Sequence, residues 1–487
     1  MSGSIERVAV IGSGVMGAGI AAHCANAGCN VLLLDIVSKD SDDRSALARG
    51  AIQKMHKSNP EMLMHKRNAK RITPGNIEDD LEKLKDFDWV VEVIIENLEI
   101  KRSLYSNISK HIGPDTILSS NTSTLPRSEL ASELPGDIAS RFLITHFFNP
   151  PRYLPLLEVV TAPEVDDAVV ERFCTFADMN LGKRVTMCND RPGFIGNRLG
   201  VYFIQRAFKA TLDHGLSIEQ ADAMLGRPIG LPKTAVFALM DLVGIDLIPH
   251  VTESLLSHLP DDDPFHEIAG TGEEIVMSMI QDGYTGRKGK GGFYRLNREG
   301  GKKVKEARNL TTGEYHTANR RAAFPSAKMG KRGLSPLMDC DDDGARLVSD
   351  VLLDSLSYAA HIVPDVSDDI YSIDGAMKVG YNWKRGPFEM MDSIGASSMV
   401  ERLQATGREV PSFLSLAAEK GSFYGIDDGE ITRLSPSGEM VVVDRPDETL
   451  NVADLKRRGK PLKRNGSASI WDMGDDVLLV EYHTKMN

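Results

Sequence analysis

Short apolar runs alternate with helix-like segments over the first 190 residues. Runs at 8–11 and 31–34 are continuous, which is typical of strands buried on both faces. Further strand-like runs follow at 88–96, 115–124, 140–150, 155–163 and 183–188, the last as an edge strand. Because helical patterns lie between several of these runs, the chain is predicted to form an α/β domain with a doubly wound, mostly parallel sheet.

The second half of the chain has a helical pattern, and part of that pattern occurs twice. A long amphipathic helix is predicted within 192–215, after the boundary marked by Pro192 and Gly193. The segments "PKTAVFALMDLVG" (232–244) and "WKRGPFEMMDSIG" (383–395) align without gaps. The aligned pairs are Phe237 with Phe388, Asp241 with Asp392, and Gly244 with Gly395. This spacing predicts two copies of one all-α domain.

These patterns divide the chain into five segments. Residues 1–190 form the sheet domain, 191–295 the first helical copy and 336–430 the second copy. Residues 296–335 are basic and rich in turn-forming residues, which indicates a linker or surface extension. Residues 431–487 form a tail, and its last part, 468–487, has the pattern of a strand, an Asp-rich turn and a second strand.

Composition narrows the class of protein. A chain of 487 residues with 41% hydrophobic and 26% charged residues can bury a large core. The net charge of −12 argues against nucleic acid as the main partner. No stretch reaches the roughly 18 apolar residues of a membrane span, and the N-terminus lacks a secretory pattern. The five cysteines show neither CxxC nor zinc-ligand spacing, so we expect reduced thiols, no metal site and a cytoplasmic location.

The strongest local motif is "RVAVIGSGVMGAGIAAHCANAGCNVLLLDI" at 7–36. Gly12 permits a tight turn, Gly14 lets the backbone approach a pyrophosphate, and Gly17 lets the following helix pack on the sheet. Asp35 closes the second strand, where a carboxylate can bind a ribose and repels a 2′-phosphate. The order of strand, glycine loop, helix, strand and acid predicts a Rossmann-type domain that binds NAD in preference to NADP.

Candidate reactive groups gather where the sheet's strands end. Ser123 and His146 follow strand-like runs, and Glu96 closes the run at 88–96. An NAD enzyme that oxidises an alcohol needs a base, and histidine titrates near neutral pH. Glu158 lies in the apolar run "LLEVV", where an unpaired charge would be costly, and two flanking strands could bring it beside His146. These segments alone leave open that His146 is a core histidine and Glu158 an edge residue.

Five motifs together resemble the L-3-hydroxyacyl-CoA dehydrogenases. They are "VIGSGVMGAGIA", "VVEVIIENLEIKRSLY", "SSNTSTLP", "HFFNPPRYLPLLEVV" and "RPGFIGNRL", and the resemblance covers about residues 5–295. It implies NAD-dependent oxidation of a 3-hydroxyacyl-CoA to the 3-ketoacyl-CoA in fatty acid β-oxidation. Alternatives are a 3-hydroxybutyryl-CoA or other hydroxy-acid dehydrogenase of similar plan, or a protein that binds NAD without turnover.

The resemblance also assigns roles to individual residues. His146 is similar to the family's catalytic base and Glu158 to its partner carboxylate. Ser123 resembles the contact of the substrate hydroxyl, and Asn197 resembles the substrate-positioning amide. The residues implied in cofactor binding are Gly12, Gly14, Val15, Met16, Gly17, Asp35, Glu96, Lys101 and Asn121.

Substrate and partner expectations follow from the remaining segments. The residues between Asp35 and Asp88 read as a pair of basic helices, either a solvated face or a clasp for the phosphates of coenzyme A, with Lys54 and Lys57 as candidates. The second helical copy is expected to be structural and to replace a second subunit, which leaves monomer and homodimer open. The tail resembles the first hairpin of an enoyl-CoA hydratase module, but that module's catalytic residues do not follow, so no hydratase activity is expected.

Overall fold

A computed structural model describes residues 4–298, 301–445 and 452–484. Its centre is an eight-stranded sheet with the order β3-β2-β1-β4-β5-β6-β7-β8. The strands are β1 (Arg7–Ile11), β2 (Asn30–Asp35), β3 (Ile72–Asn76), β4 (Trp89–Glu92), β5 (Ile117–Ser120), β6 (Phe142–Phe147), β7 (Leu156–Val160) and β8 (Arg184–Cys188). The first six are parallel, and β7 and β8 run antiparallel to them. The predicted Rossmann-type sheet is confirmed, with 184–188 at its edge.

Helices cover this sheet. They are α1 (Val15–Asn26), α2 (Ala46–Met55), α3 (Leu98–Ile108), α4 (Arg127–Ala131), α5 (Gly136–Ala139) and α6 (Asp167–Met179), with 3-10 helices at Lys66–Arg71 and Leu81–Asp86. Helix α1 starts after Gly14, whose backbone is extended, and the chain leaves it through Gly28 at a φ of 98°. Its buried face consists largely of glycine and alanine, so it packs close to the strands.

Two expectations about this domain were wrong in detail. The segment before Asp88 contains one α-helix, two 3-10 helices and the extra strand β3, instead of a helix pair. The sequence of β3, "ITPGN", hides a strand because proline and glycine are tolerated only at an edge. Strand β4 ends at Glu92, so Glu96 lies in the loop beyond it and does not close the strand.

The rest of the chain is mainly helical and contains the predicted repeat. The helices are α7 (Gly196–Asp213), α8 (Ile218–Met224), α9 (Phe237–Val243), α10 (Leu247–Leu256), α11 (Glu273–Gln281), α12 (Leu334–Met338), α13 (Asp343–His361), α14 (Ile370–Gly380), α15 (Pro387–Ile394), α16 (Ala396–Ala405) and α17 (Ser412–Lys420). Further 3-10 helices are Arg227–Ile229, Pro264–Glu267 and Pro325–Lys331.

The repeat is visible in matched hydrogen bonds. Asp241 accepts hydrogen bonds from the backbone N–H groups of Phe293 and Tyr294, at 2.7 and 2.8 Å. Its counterpart Asp392 accepts them from another Phe-Tyr pair, residues 423 and 424, at 2.8 and 2.9 Å. Each aspartate therefore fixes the chain where it leaves the helical part of its copy.

Each copy continues into a three-stranded antiparallel sheet, which the sequence analysis did not predict. The strands are β9 (Tyr294–Asn297), β10 (Val304–Arg308) and β11 (Tyr315–Thr317) in the first copy, and β12 (Tyr424–Asp427), β13 (Glu430–Leu434) and β14 (Met440–Val442) in the second. The segment 296–335, which was expected to be a linker or surface extension, therefore contains β10, β11 and half of β9, and the expected boundary at 431 cuts through β13. Strands such as "VKEAR" read as basic surface because one face is solvated.

The remaining tail is a helix followed by three short strands, and it is tied to the second small sheet by the pairing of Arg458 with Glu430. It consists of α18 (Val452–Arg458), β15 (Lys463–Arg464), β16 (Ala468–Asp472) and β17 (Leu478–Tyr482). The expected hairpin is β16–β17, and residues 485–487 of that segment lie outside the described residues. Glu481 of the hairpin accepts a hydrogen bond from Lys456 at 2.5 Å, so α18 is tied to the hairpin.

The two copies pack on each other through α7 and α13. The rings of Tyr202 and Tyr358 stack with centroids 3.8 Å apart. Arg198 of α7 donates to the Tyr358 hydroxyl at 2.5 Å and pairs with Asp263. Buried charges of this kind are stable only when paired, so this contact fixes the arrangement of the copies. In the described ranges, no helix is long and apolar enough to cross a membrane, and all five cysteines are free thiols.

Candidate active site

His146 and Glu158 face each other across two antiparallel strands. His146 of β6 is paired in register with Glu158 of β7, so both side chains leave the sheet on the same face. The imidazole Nδ1 lies 2.8 Å from a carboxylate oxygen of Glu158. Both side chains are buried. The structure therefore brings together the two residues that the sequence analysis paired.

The second oxygen of Glu158 is held by the start of helix α7. It accepts hydrogen bonds from the backbone N–H groups of Ile195 at 3.0 Å and Gly196 at 2.7 Å. The N-terminal end of a helix carries partial positive charge, so these donors stabilise the carboxylate in a buried place. These hydrogen bonds fix Glu158 in position and in the direction of its own hydrogen bonds. Burial and the charge of Glu158 together raise the pKa of the neighbouring Cys188 thiol.

Only glycine fits at position 196. A Cβ atom there would lie 2.6 Å from the Phe148 ring and 3.4 Å from the Glu158 carboxylate. The Phe148 ring in turn packs against the imidazole of His146, with centroids 4.6 Å apart. The close approach of helix, ring and carboxylate leaves the imidazole little room to rotate.

The second helical copy reaches this site. The ring of Tyr381, just after α14, packs against Phe148 with centroids 6.5 Å apart. Its hydroxyl lies so close to Gly200 of α7 that a Cβ there would sit 1.9 Å from it. Burial and the charge of Glu158 raise the pKa of Tyr381. The copy that we interpreted as structural therefore also encloses the histidine–carboxylate pair.

Ser123 and Asn197 meet beside the pair. The Asn197 amide donates to the Ser123 carbonyl at 3.4 Å. The loop that carries Ser123 is anchored to β6, because Asn121 accepts a hydrogen bond from the Phe147 N–H at 2.9 Å. The structure thus places Asn121 and Ser123 at the end of β5, next to the strand of His146.

Glu96 and Lys101 differ in their exposure. The Lys101 side chain is 1% exposed, with its ammonium 2.6 Å from Glu92 and 3.3 Å from Glu96. Burial acts to raise the pKa of Glu96, but the charge of Lys101 and a hydrogen bond from Thr122 hold it below the usual value. Since Glu96 is 33% exposed, a ligand can reach its carboxylate, and the buried Lys101 fixes that carboxylate through the ion pair.

The glycine loop fits a dinucleotide. Gly12 has a φ of 107°, and a Cβ there would lie 2.4 Å from the Val93 carbonyl. A Cβ on Gly17 would overlap the Gly12 carbonyl at 1.8 Å, whereas no atom lies within 4 Å of one on Gly14. The space above Gly14 faces the start of α1, where a pyrophosphate is stabilised by the helix N–H groups. Val15 and Met16 begin this helix.

Asp35 closes β2 beside this loop. One of its carboxylate oxygens accepts a hydrogen bond from the Ser13 N–H at 2.7 Å, and the other accepts one from the Ile36 N–H at 2.8 Å. The acid is therefore oriented at the expected ribose position. Lys54 and Lys57 are exposed at the end of α2. Among the described residues, no three His, Cys, Asp or Glu side chains are arranged to hold a metal.

Comparison with known proteins shows which family the chain belongs to. Residues 7–191 match the model of the 3-hydroxyacyl-CoA dehydrogenase NAD-binding domain, and residues 193–296 match that of its C-terminal domain. A probable 3-hydroxyacyl-CoA dehydrogenase of Deinococcus radiodurans is 43% identical over 295 residues, which are 61% of this chain and 84% of that protein. The chain belongs to the 3-hydroxyacyl-CoA dehydrogenase family. Its cofactor is NAD.

Two further comparisons extend beyond residue 296. A probable 3-hydroxyacyl-CoA dehydrogenase of Bacillus subtilis is 37% identical over 99% of this chain, which spans only 63% of that relative's length. The crystal structure of 3-hydroxybutyryl-CoA dehydrogenase from Escherichia coli covers 86% of this chain and 99% of its own, with a TM-score of 0.65. At 24% identity, the latter shows a shared fold alone.

Sequence reasoning missed three parts of this dehydrogenase-family site. Glu92 is fully buried and accepts hydrogen bonds from Lys101, Tyr105 and Ser120. These contacts hold the buried side chains on which Glu96 rests. A glutamate inside an apolar strand was the available signal. The helix N–H groups that bind Glu158 belong to the backbone, so no residue type in the sequence indicates them. Tyr381 is too far along the chain to be linked to the site by spacing.

Proposed function

We propose that this chain oxidises L-3-hydroxyacyl-CoA to 3-ketoacyl-CoA with NAD⁺, and that His146 is the general base. The observation that carries the proposal is the buried contact of 2.8 Å between His146 and Glu158, with the other carboxylate oxygen already bound by helix α7. This arrangement fixes one imidazole nitrogen as a donor to Glu158. The other nitrogen is then free to accept a proton.

The protein's own residues divide the work of the reaction. His146 Nε2 takes the proton of the substrate 3-hydroxyl, and Glu158 offsets the positive charge that develops on the ring. NAD⁺, held by the glycine loop and Asp35, would supply the acceptor for the hydride that leaves C3 of the substrate. Ser123 and Asn197 donate hydrogen bonds to the oxygen that becomes the ketone. Glu96, held by Lys101, and Asn121 shape the nicotinamide end of the cofactor site.

The test is NADH formation from L-3-hydroxyacyl-CoA substrates of several chain lengths. The variant His146→Gln should lose about two to four orders of magnitude in kcat, since a general base typically contributes that much. His111→Gln, outside the proposed site, is the control and should keep normal turnover. Near-normal kcat in His146→Gln would refute the mechanism. Absence of NADH with every chain length in the unmodified protein would refute the activity itself.

The second helical copy is proposed to take the place of a second subunit. Support comes from its contact with α7 through the stacked Tyr202 and Tyr358 and from the position of Tyr381 against Phe148. Size-exclusion chromatography with light scattering should then give a monomer. A tight dimer built through α7 would contradict this proposal.

We also propose that Lys54 and Lys57 contact the phosphates of coenzyme A and that the protein is cytoplasmic. We further propose the domain division given above, with each small sheet included in its helical copy. The lack of hydratase activity is tested by incubating the pure chain with a trans-2-enoyl-CoA, and hydration of that substrate would contradict it.

A further inference from the structure

Helices α9 and α10 expose an apolar face. Leu242 and Val243 at the end of α9 are 51% and 50% exposed, and Leu247 at the start of α10 is 42% exposed. Val251, one turn further along α10, is half-buried. We call Leu242, Val243, Leu247 and Val251 the α9–α10 face. Adjacent exposed apolar side chains of this kind mark binding surfaces more often than isolated ones do.

The second copy provides an internal control for this face. Its α15 and α16 align without gaps with α9 and α10, and the buried Ala396 and Leu403 match the buried Ile245 and Thr252. The equivalents of the α9–α10 face, in order, are Ser393, Ile394, Ser398 and Arg402. Three of these are polar, and Ile394 is only 7% exposed. The domain therefore does not need an apolar surface here in order to fold, so the first copy has it for another reason.

The α10 part of this face leads to the candidate active site. Leu247, Val251 and Ser254 recur at helical spacing and so lie on one side of α10. The Ser254 hydroxyl donates to the Thr124 hydroxyl at 2.6 Å, and Thr124 is the neighbour of Ser123. At 1.5 Å per residue, the distance along the helix from Leu247 to Ser254 is about 10 Å. An extended apolar chain whose head is bound at Ser123 could therefore lie along this face.

We propose that the α9–α10 face binds the acyl chain of the substrate beyond its first four carbons. This inference rests on the proposed function and deepens it, because it assigns the chain to substrates longer than 3-hydroxybutyryl-CoA. The occupant is a hydrocarbon chain, since the face offers apolar side chains and borders the loop of Ser123. A second copy of the protein on this face is the alternative that the test separates.

The variant Leu247→Ser gives the first copy the serine that the second copy has at the equivalent position. Its kcat/KM for 3-hydroxydodecanoyl-CoA should fall about tenfold, near the lower end of the effect of burying a leucine side chain, while kcat/KM for 3-hydroxybutyryl-CoA changes less than about twofold. Leu478→Ser, which removes a leucine that is 60% exposed on the tail hairpin, is the matched control and should change neither value. An equal fall for both substrates, or no fall for either, would overturn the inference.

Binding without turnover keeps the two proposals separable. Dodecanoyl-CoA and butyryl-CoA lack the reacting hydroxyl, so calorimetry with them measures the acyl chain contact even if the chain has no dehydrogenase activity. The unmodified protein should bind dodecanoyl-CoA more tightly, and Leu247→Ser should lose about tenfold of that preference. Equal affinity for both ligands in the unmodified protein would refute the inference. A change of oligomeric state in Leu247→Ser with unchanged preference would instead show that the face joins two copies.

Discussion

Replacing Glu158 by glutamine would change the hydrogen bonding of His146 while leaving the shape of the site nearly unchanged. Two backbone N–H groups, of Ile195 and Gly196, point at one carboxylate oxygen. The amide oxygen of a glutamine must take that place, because its NH₂ group would face two donors there. The NH₂ group is then directed at Nδ1 of His146, which must become an acceptor. The proton therefore moves to Nε2, the nitrogen that needs to be free for the substrate.

The expected loss follows from this reversal. Removing the correct tautomer and the charge that stabilises the imidazolium should lower kcat by about 10³- to 10⁴-fold, which is about 4–5.5 kcal/mol in the barrier. Stability should change much less, by about 1–2 kcal/mol, since the backbone hydrogen bonds persist to a neutral acceptor. Raising the pH should not restore activity, because the neutral imidazole carries its proton on the wrong nitrogen.

The assay is steady-state NADH formation combined with urea unfolding of the same samples. Glu171→Gln, on the exposed side of α6, removes one carboxylate from the same domain and should retain both activity and stability. If Glu158→Gln kept more than about a tenth of wild-type kcat, the tautomer argument would be wrong. A loss of kcat matched by unfolding of the variant would also refute it, since the effect would then be structural.

Three further predictions concern stability and the cofactor. Gly17→Ala should lower the free energy of unfolding by at least about 2 kcal/mol, because its Cβ would overlap a carbonyl oxygen. Gly14→Ala, by contrast, should fold normally and should bind NAD about tenfold more weakly in calorimetry. Burial acts to raise the pKa of Asp350, but hydrogen bonds from a histidine and an arginine hold it below the usual value. The ionised Asp350 therefore stabilises the fold above about pH 4, and this stabilisation is lost as the pH falls through the pKa of the folded state. Asp350→Asn should therefore cost about 1 kcal/mol in urea unfolding at neutral pH, and a cost that did not shrink on acidification would contradict the assignment.

The sheet domain could be predicted because its signals are local. Buried parallel strands give continuous apolar runs, and the glycine loop between β1 and α1 has a fixed spacing. Strand β3 and the two small sheets could not be predicted, because edge and surface strands tolerate proline, glycine and charged residues. Segments such as "VKEAR" in β10 have no apolar run, and only their pairing with neighbouring strands defines them as strands.

The candidate site was predictable in its side chains and less so in its support. His146 and Glu158 are each a titratable residue in an apolar strand, which made a contact between them possible, and the resemblance to the dehydrogenase family assigned the pair. The antiparallel pairing of β6 and β7, which places the two residues opposite each other, was not predicted. The helix N–H groups that bind Glu158 depend on how α7 meets the sheet, which no residue type reveals. Tyr381 reaches the site only because the second copy packs on α7, so tertiary packing supplies a contact that sequence spacing does not indicate.

A crystal structure of the protein with NAD and a 3-ketoacyl-CoA is the most direct test of the proposed chemistry. We expect His146 Nε2 within about 2.6–3.2 Å of the substrate's C3 oxygen, with Nδ1 still on Glu158 and the nicotinamide facing C3. An imidazole turned away from Glu158, or a C3 oxygen bound elsewhere than at His146, would contradict the central claim.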